Sequence, residues 1–227
     1  MTRPKIVFLV GGVYHPAAEQ AQIITDWLGP AYETVICAGV AAFEALDDAA
    51  LFVPLGSHFT GMTDLGERSQ PYSRPTDAHK AAFERYVASG RPLLVQHGGI
   101  VSYNDWPRFG ELLGFTWVRG VTNHPPIGEI SVRILPTNHP IIAGVDDFTL
   151  IDELYRDILI TPGLGPTVHA ESVYDGRIHP MILTAEGGRV AGAGKTVYLA
   201  NGHDQRAFEC PALRQLWLNA LRWLLDE

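Results

Sequence analysis

The chain has 227 residues, of which 46% are hydrophobic and 19% charged, and a formal net charge of -8. This length can bury a sizeable core, and the acidic balance without a basic stripe argues against a nucleic-acid partner. Two cysteines are too few for a disulfide framework, and no apolar stretch approaches a membrane span. The N-terminal apolar run is short and ends in glycines, which predicts a first strand rather than a signal peptide. We expect a single cytoplasmic domain over residues 1–227 with no membrane contact.

Apolar runs alternating with helical patterns predict a parallel sheet in the first half of the chain. Apolar runs that end at glycine or proline are typical of strands buried on both faces. The predicted strands are Ile6–Val10, Tyr32–Ala38, Leu51–Gly56 and the run from Pro92 to Gln96-His97. The predicted helices are Ala17–Leu28, Asp77–Ser89 and Trp106–Leu113, with a short turn or helix at Phe43–Leu46.

The rest of the chain departs from that pattern. Residues Ser57–Thr76 are polar and lack periodicity, which favours a functional loop, a mobile lid or a subunit contact. After Val121 the apolar residues alternate, as they do in antiparallel strands. We predict such strands at 130–135, 148–155, 168–174 and 181–184, then a buried strand at 196–200 and a helix at 213–225. The fold class is α/β, a parallel sheet with an antiparallel extension.

The most informative segment is Gln96-His97-Gly98-Gly99, at the end of the fourth predicted strand. The glycines permit a sharp turn, and open α/β sheets bind ligands outside the carboxyl ends of their strands. A histidine therefore stands where nucleophile-elbow enzymes have serine or cysteine. The sequence leaves open, by one residue, whether Gln96 or His97 occupies the elbow. The chain has no Gly-x-Ser-x-Gly motif, and neither cysteine follows the right strand.

Four histidines follow predicted strands: His15, His58, His97 and His203. If the sheet is parallel, these strand ends share one edge and the imidazoles face one cleft. Histidine acts there as a general acid, a general base or a metal ligand. Structural interpretations stand beside this one. His15 would cap a helix, His97 and His203 would be satisfied core imidazoles, and for His58 simple exposure is favoured.

The acidic partner comes from the segment Asp152-Glu153-Leu154-Tyr155. If this is a strand, Glu153 and Tyr155 share one face, where a carboxylate and a phenol can orient a histidine or bind sugar hydroxyls. An edge strand with solvated acids is the alternative. Three nitrogen or oxygen ligands with an open position suit a divalent metal such as zinc, but no His-Glu-x-x-His motif is present. The sequence therefore leaves the cofactor undecided, a divalent metal such as zinc included.

The order of these motifs resembles the ThuA-like (trehalose utilisation) family, whose fold is similar to class I glutamine amidotransferases. The resemblance covers nearly the whole chain, and its most specific part is His139-Pro140-Ile141 followed by Asp152–Tyr155. The other segments that carry it are His15, Gly90–Gly99, His124-Pro125, Asn201-Gly202-His203, Phe208, Pro211 and Asn219–Trp223. It implies a flavodoxin-like, three-layer α/β/α fold. Because the elbow has no cysteine, glutaminase activity should be absent.

The resemblance further implies a role in carbohydrate metabolism, with a sugar or sugar derivative as the small-molecule ligand. One hypothesis is a sugar-directed enzyme in which His97, His203 and Glu153 are catalytic. Substrate contacts would come from His15, His124, Tyr155 and Gln96, while Trp106 and Trp117 would either stack on sugar rings or pack in the core. The second hypothesis is a non-catalytic ligand-binding or subunit-interaction domain with a degenerate site. The oligomeric state stays open, a homo-oligomer included.

Overall fold

The computed structural model describes residues 3–61 and 72–227. The helices are α1 (Ala17–Leu28), α2 (Ala41–Glu44), α3 (Asp77–Ala88), α4 (Pro107–Leu113), α5 (Gln205–Phe208) and α6 (Pro211–Leu225). The strands are β1 (Lys5–Val10), β2 (Glu33–Ala38), β3 (Leu51–Pro54), β4 (Leu93–Gln96), β5 (Phe115–Thr116), β6 (Gly128–Ile134), β7 (Phe148–Asp152), β8 (Leu159–Ile160), β9 (Thr167–Tyr174), β10 (Arg177–Glu186) and β11 (Lys195–Leu199). Short 3₁₀ turns occupy Gly29–Ala31, His97–Val101 and Pro140–Ile142.

Within the described ranges, nine strands form the main sheet in the order β2-β1-β3-β4-β11-β10-β9-β6-β7. The first five are mutually parallel, and the last four continue the sheet by antiparallel pairing. This confirms the predicted parallel sheet with an antiparallel extension. The strands β3 and β4 are buried along their whole length, as expected for strands covered on both faces.

Helices cover both faces of the parallel strands. Val7 of β1 pairs with Phe52 of β3, so Phe8 points to the opposite face from Phe52. Phe8 packs against Trp217 of α6 with ring centroids 6.3 Å apart, and Phe52 packs against Phe83 of α3 at 5.4 Å. The predicted three-layer α/β/α arrangement is therefore present.

The antiparallel extension curls back over the parallel strands. By the pairing directions, β7 runs the same way as β11, but it lies four places away in the sheet. A flat sheet would separate these strands by roughly 19 Å. Instead, the Asp152 carboxylate at the end of β7 accepts hydrogen bonds from the Gly202 and His203 amides at 2.8 and 2.9 Å. The pairing of β6 with β9 covers only two residues on each strand, which leaves the β6–β7 hairpin room to turn.

Two features of the extension differ from the sequence prediction. The strand predicted at 148–155 ends at Asp152, so Glu153 and Tyr155 belong to the loop that follows. A ribbon of β5 paired with β8 was not predicted, because each strand has only two residues and shows no periodicity. No helix in the described part of the chain is long and apolar enough to cross a membrane.

The hydrogen bonds from the Gly202 and His203 amides to the Asp152 carboxylate, which we call the Asp152 clamp, give a stability prediction. The carboxylate is 1% exposed and also accepts from Asn201 Nδ2 at 3.1 Å, so Asp152→Asn would leave a buried backbone amide facing an amide group. We expect the free energy of unfolding to fall by about 2–3 kcal/mol, measured by urea denaturation. The matched control is Asp147→Asn, since exposed Asp147 accepts from the Ile134 amide at 2.7 Å. Equal losses in the two variants would contradict the clamp.

A second prediction concerns pH. His169 is fully buried in β9, between the hydroxyls of Thr137 at 2.6 Å and Thr184 at 2.7 Å. Burial, and then the charge of His139, lower the pKa of His169 to about 4. Because the unfolded chain binds this proton near pH 6.5, the folded state loses stability as the pH falls from about 6.5 to about 4. We expect a loss of about 2 kcal/mol between pH 7 and pH 5 that His169→Gln lacks. If the free energy of unfolding changed with pH equally in the wild type and in His169→Gln, the prediction would be contradicted.

Candidate functional site

Three histidines and one glutamate converge at the carboxyl edge of the sheet. His15 follows β1, His97 follows β4, His203 follows β11 and Glu153 follows β7. One nitrogen or oxygen atom from each lies within 4.8 Å of those of the others. The three imidazoles are nearly perpendicular to one another, with ring centroids 4.9 to 5.6 Å apart. We call these four residues the His/Glu cluster.

His97 occupies the elbow, which resolves the register that the sequence left open. Its φ of +37° lies in the left-handed region, a strained conformation for a residue other than glycine. The Nδ1–H group donates to the Ala200 carbonyl at 2.7 Å. In the neutral ring the proton is therefore on Nδ1, and Nε2 carries a free lone pair. Nε2 is buried without a hydrogen-bond partner, 3.7 Å from Glu153 Oε2.

His15 is fixed in the same way from the other side. The Ser57 hydroxyl donates to the Gly98 carbonyl at 3.2 Å, so its oxygen accepts from His15 Nδ1–H at 2.8 Å. His15 Nε2 then accepts a hydrogen bond from the Tyr155 hydroxyl at 3.2 Å. Gly98 has to be glycine, because a Cβ there would lie 2.6 Å from His15 Nδ1. The predicted helix cap is wrong, since Pro16 holds the N-cap position of α1.

Glu153 lies between His97 and His203. Its Oε2 atom is 2.9 Å from His203 Nδ1, in an orientation too bent for a hydrogen bond. His203 is placed through its backbone, whose amide donates to Asp152. The sequence analysis gave Asp152 and Ser57 no part in the site. Their only signal was position, since one directly precedes Glu153 and the other directly follows the third strand.

The charges in the cluster are coupled. Burial raises the pKa of Glu153, but His203 and His97 outweigh it and hold this pKa well below its usual range. Burial lowers the pKa of His203, yet the neighbouring Glu153 carboxylate raises it overall. Burial, with His97 and His203 nearby, lowers the pKa of His15. At neutral pH the cluster thus presents an ionised carboxylate and at least one neutral imidazole, which are the forms that bind a cation.

The remaining predicted substrate residues divide into two groups. Tyr155 and His124 lie beside the cluster: the Tyr155 ring packs on His97 with centroids 4.0 Å apart, and His124 Nδ1 lies 3.5 Å from Glu153 Oε1. Gln96 does not join them. Its side chain is 1% exposed, accepts from Trp217 Nε1 at 2.9 Å and donates to the Asn201 carbonyl at 2.9 Å. It turns into the core because strand alternation points it away from the elbow.

Two other expectations are corrected or left untested. His58 is 2% exposed, whereas exposure was predicted. It is buried because its Nε2–H group donates to the Val10 carbonyl at 2.8 Å and its ring stacks on Tyr103. Within the Ser57–Thr76 loop, residues 62–71 lie outside the described residues, so the predicted lid or subunit contact stays a prediction.

A cavity of about 990 Å³ opens from the cluster. His15, His124, Glu153, Tyr155 and His203 line one part of it. The β5–β8 ribbon, the segment before α4, α4 itself and residues 117–119 line other parts of it. Trp117 also lines the cavity and meets Tyr155 edge-on at 4.8 Å, while Trp106 is 7% exposed and packs among core aromatics.

The chain matches the ThuA (trehalose utilisation) family model over residues 38–224. It belongs to the ThuA family. Solved structures with similar folds include a ThuA-like protein from Parabacteroides merdae, at 15% identity and a TM-score of 0.72. The alignment covers 99% of this chain and 90% of that protein's chain. A ThuA-like protein from Bacteroides uniformis has 18% identity and a TM-score of 0.70 over 100% and 94% of the two chains. A search of curated proteins gave no match.

A glutamine amidotransferase from Thermotoga maritima shares the fold, at 11% identity and a TM-score of 0.53 over the full length of both chains. At these identities the structural neighbours establish the fold of this ThuA-family protein. The elbow that carries a nucleophile in amidotransferases carries His97 here, and Cys37 and Cys210 lie on β2 and before α6. The chain therefore has no thiol at the elbow for glutaminase chemistry.

Proposed function

We propose that this ThuA-family protein is a metal-dependent enzyme that acts on a sugar or sugar derivative. The observation that carries the proposal is the His/Glu cluster at one end of a cavity large enough for a small molecule. Four donor atoms within 4.8 Å of one another are close enough together for a single divalent cation to bind between them.

The donor set fits a metal such as zinc in type, and Glu153 and His15 are in the protonation states that bind it. Zinc prefers imidazole nitrogen and carboxylate oxygen, and its ligating histidines usually donate their other N–H group to a protein acceptor. His97 does so to Ala200, and His15 does so to Ser57. The buried, unpartnered Nε2 of His97 is what a missing cation would leave. A metal in this position would supply a Lewis acid that polarises a substrate oxygen or lowers the pKa of water.

The chain's own residues supply substrate contacts. Burial, and then the charge of Glu153, raise the pKa of Tyr155 well above its usual range, so the phenol stays protonated at neutral pH. It can donate to a substrate oxygen once His15 Nε2 is engaged elsewhere. His124 is partly exposed at the cavity wall, where it can contact a sugar hydroxyl. The Trp117 face beside Tyr155 suits stacking against the apolar face of a sugar ring.

The second hypothesis, a non-catalytic domain with a degenerate site, gains less support. A site freed from chemical constraint should show scattered or covered imidazoles. Here three imidazoles and a carboxylate are gathered, and hydrogen bonds at Nδ1 of His15 and His97 leave Nε2 of each ring as the atom able to bind a cation. A strained elbow conformation at His97 is also costly to keep without a function.

Metal analysis tests the first half of the proposal. Protein purified without an affinity tag should contain about one divalent metal ion per chain by elemental analysis. We expect His97→Ala and His203→Ala each to lose this metal while remaining folded. His79→Gln is the matched control, because His79 lies on α3 and contacts Glu44 rather than the cluster. Metal-free wild-type protein that also fails to bind added zinc would refute the metal centre.

Conversion of sugars tests the second half. Metal-loaded and chelator-treated protein would be incubated with mono- and disaccharides and their oxidised forms, and products followed by mass spectrometry. We expect turnover that depends on the metal and is lost in His203→Ala. Binding of a sugar with no conversion in any condition would favour the non-catalytic alternative.

A further prediction concerns Ser57, which orients His15 without reaching the donor point itself. Ser57→Ala should weaken metal affinity about 10- to 100-fold, because the ring loses its acceptor and its fixed tautomer. Competition with a chromogenic chelator measures this affinity directly. Ser131→Ala on exposed β6 is the control. Unchanged affinity in Ser57→Ala would contradict the role of Ser57 in orienting His15.

A further inference from the structure

Resting on the proposed function, we infer that the ligand of this site is a glycoside with an apolar, aromatic-sized substituent on its sugar. The sugar ring occupies the part of the cavity beside the His/Glu cluster, and the apolar substituent occupies the part beside the β5–β8 ribbon. This narrows the substrate class from sugars in general to apolar glycosides.

The cavity is large enough for more than one sugar ring. Its volume of about 990 Å³ lies at the upper end of the roughly 300–1,000 Å³ that enclose a drug-sized molecule. A single hexose held at the cluster would leave most of this space empty. The remaining space can therefore hold a second group of similar size on the same ligand.

The chemistry of the walls decides what that second group is. Beyond the cluster, the cavity is lined largely by apolar side chains: Ile100, Val101, Trp106, Pro107, Val118 and Leu159. Leu159 is 48% exposed and lines the cavity, so its side chain is available to contact a ligand there. A second sugar here would place hydroxyl groups against carbon, which leaves them without the hydrogen bonds they have in water.

Three of the polar side chains that line this region are already engaged within the chain. Ser102 donates to the Gly56 carbonyl at 2.6 Å and accepts from the His58 amide at 2.9 Å. Asn104 accepts from the Thr60 amide at 2.8 Å. Glu111 pairs with Arg108 at 2.7 Å. Ser102 and Asn104 therefore have little capacity left for sugar hydroxyls, which favours an apolar neighbour on their side of the cavity.

The end near the cluster has the opposite character. Tyr155, His124, Glu153 and His203 present a phenol, two imidazoles and a carboxylate on one side of the cavity. The edge-on contact of Trp117 with Tyr155 gives that end an aromatic surface as well. The polar and apolar halves of the cavity thus match the two halves of an apolar glycoside.

Calorimetric titration of the zinc-loaded full chain tests this inference. The probes are matched phenyl and methyl glycosides of glucose, galactose and mannose, in both anomers, together with trehalose. We expect at least one phenyl glycoside to bind about tenfold or more tightly than its methyl counterpart, because burying a phenyl ring removes more apolar surface from water. Trehalose should bind more weakly than that phenyl glycoside.

A matched pair of variants localises the effect. Leu159→Gln should weaken binding of the phenyl glycoside about threefold and leave the methyl glycoside unchanged. Ile178→Gln is the control, since Ile178 is 62% exposed on β10 and does not line the cavity. Both changes are at exposed positions, so both variants should fold.

The remaining outcomes separate this inference from the proposed function. Equal binding of phenyl and methyl glycosides, tighter binding of trehalose, or equal weakening of both probes by Leu159→Gln would overturn the apolar substituent. Each of these would leave the sugar-directed site in place. Failure of every glycoside to bind to zinc-loaded protein would overturn both.

Discussion

The Asp152 carboxylate holds the site together. It joins the end of β7 to the backbone after β11, two strands that the sheet order places four positions apart. Glu153 directly follows Asp152 in the chain, and His203 is one of the residues whose backbone amide donates to the Asp152 carboxylate. One buried carboxylate therefore fixes the backbones of two cluster members at once. This contact holds the end of the antiparallel extension, and with it Glu153, at the edge where His15 and His97 lie.

The imidazoles of His15 and His97 are oriented by groups outside the cluster. Ala200 and Ser57 each accept the Nδ1–H group of one ring, which leaves Nε2 with a lone pair directed inward. The backbone also positions these rings. Gly98 has no side chain and leaves space for the His15 ring, and the left-handed conformation of His97 turns its side chain out of β4. This costs strain and desolvation, and a bound cation would offset both, since it uses the lone pairs that the fold exposes.

The fold is similar to that of a glutamine amidotransferase, and the turn after β4 carries a histidine. In place of a thiol nucleophile, the turn after β4 presents an imidazole, and the strand ends on either side contribute two more. The ribbon of β5 and β8 then encloses space next to the cluster. The strand ends thus place three imidazoles and a carboxylate beside a walled cavity.

The sequence by itself determined the parallel strands, the elbow and the histidines that follow β1, β4 and β11, because each depends on local pattern and on the rule that parallel strand ends share an edge. It also singled out Glu153 and Tyr155, though through an alternation in a strand that ends before them. Only the tertiary structure decided that Gln96 serves the core, that His58 is buried, and that Asp152 and Ser57 support the cluster. Those roles depend on contacts between residues 41 to 121 positions apart, and no local pattern encodes such contacts.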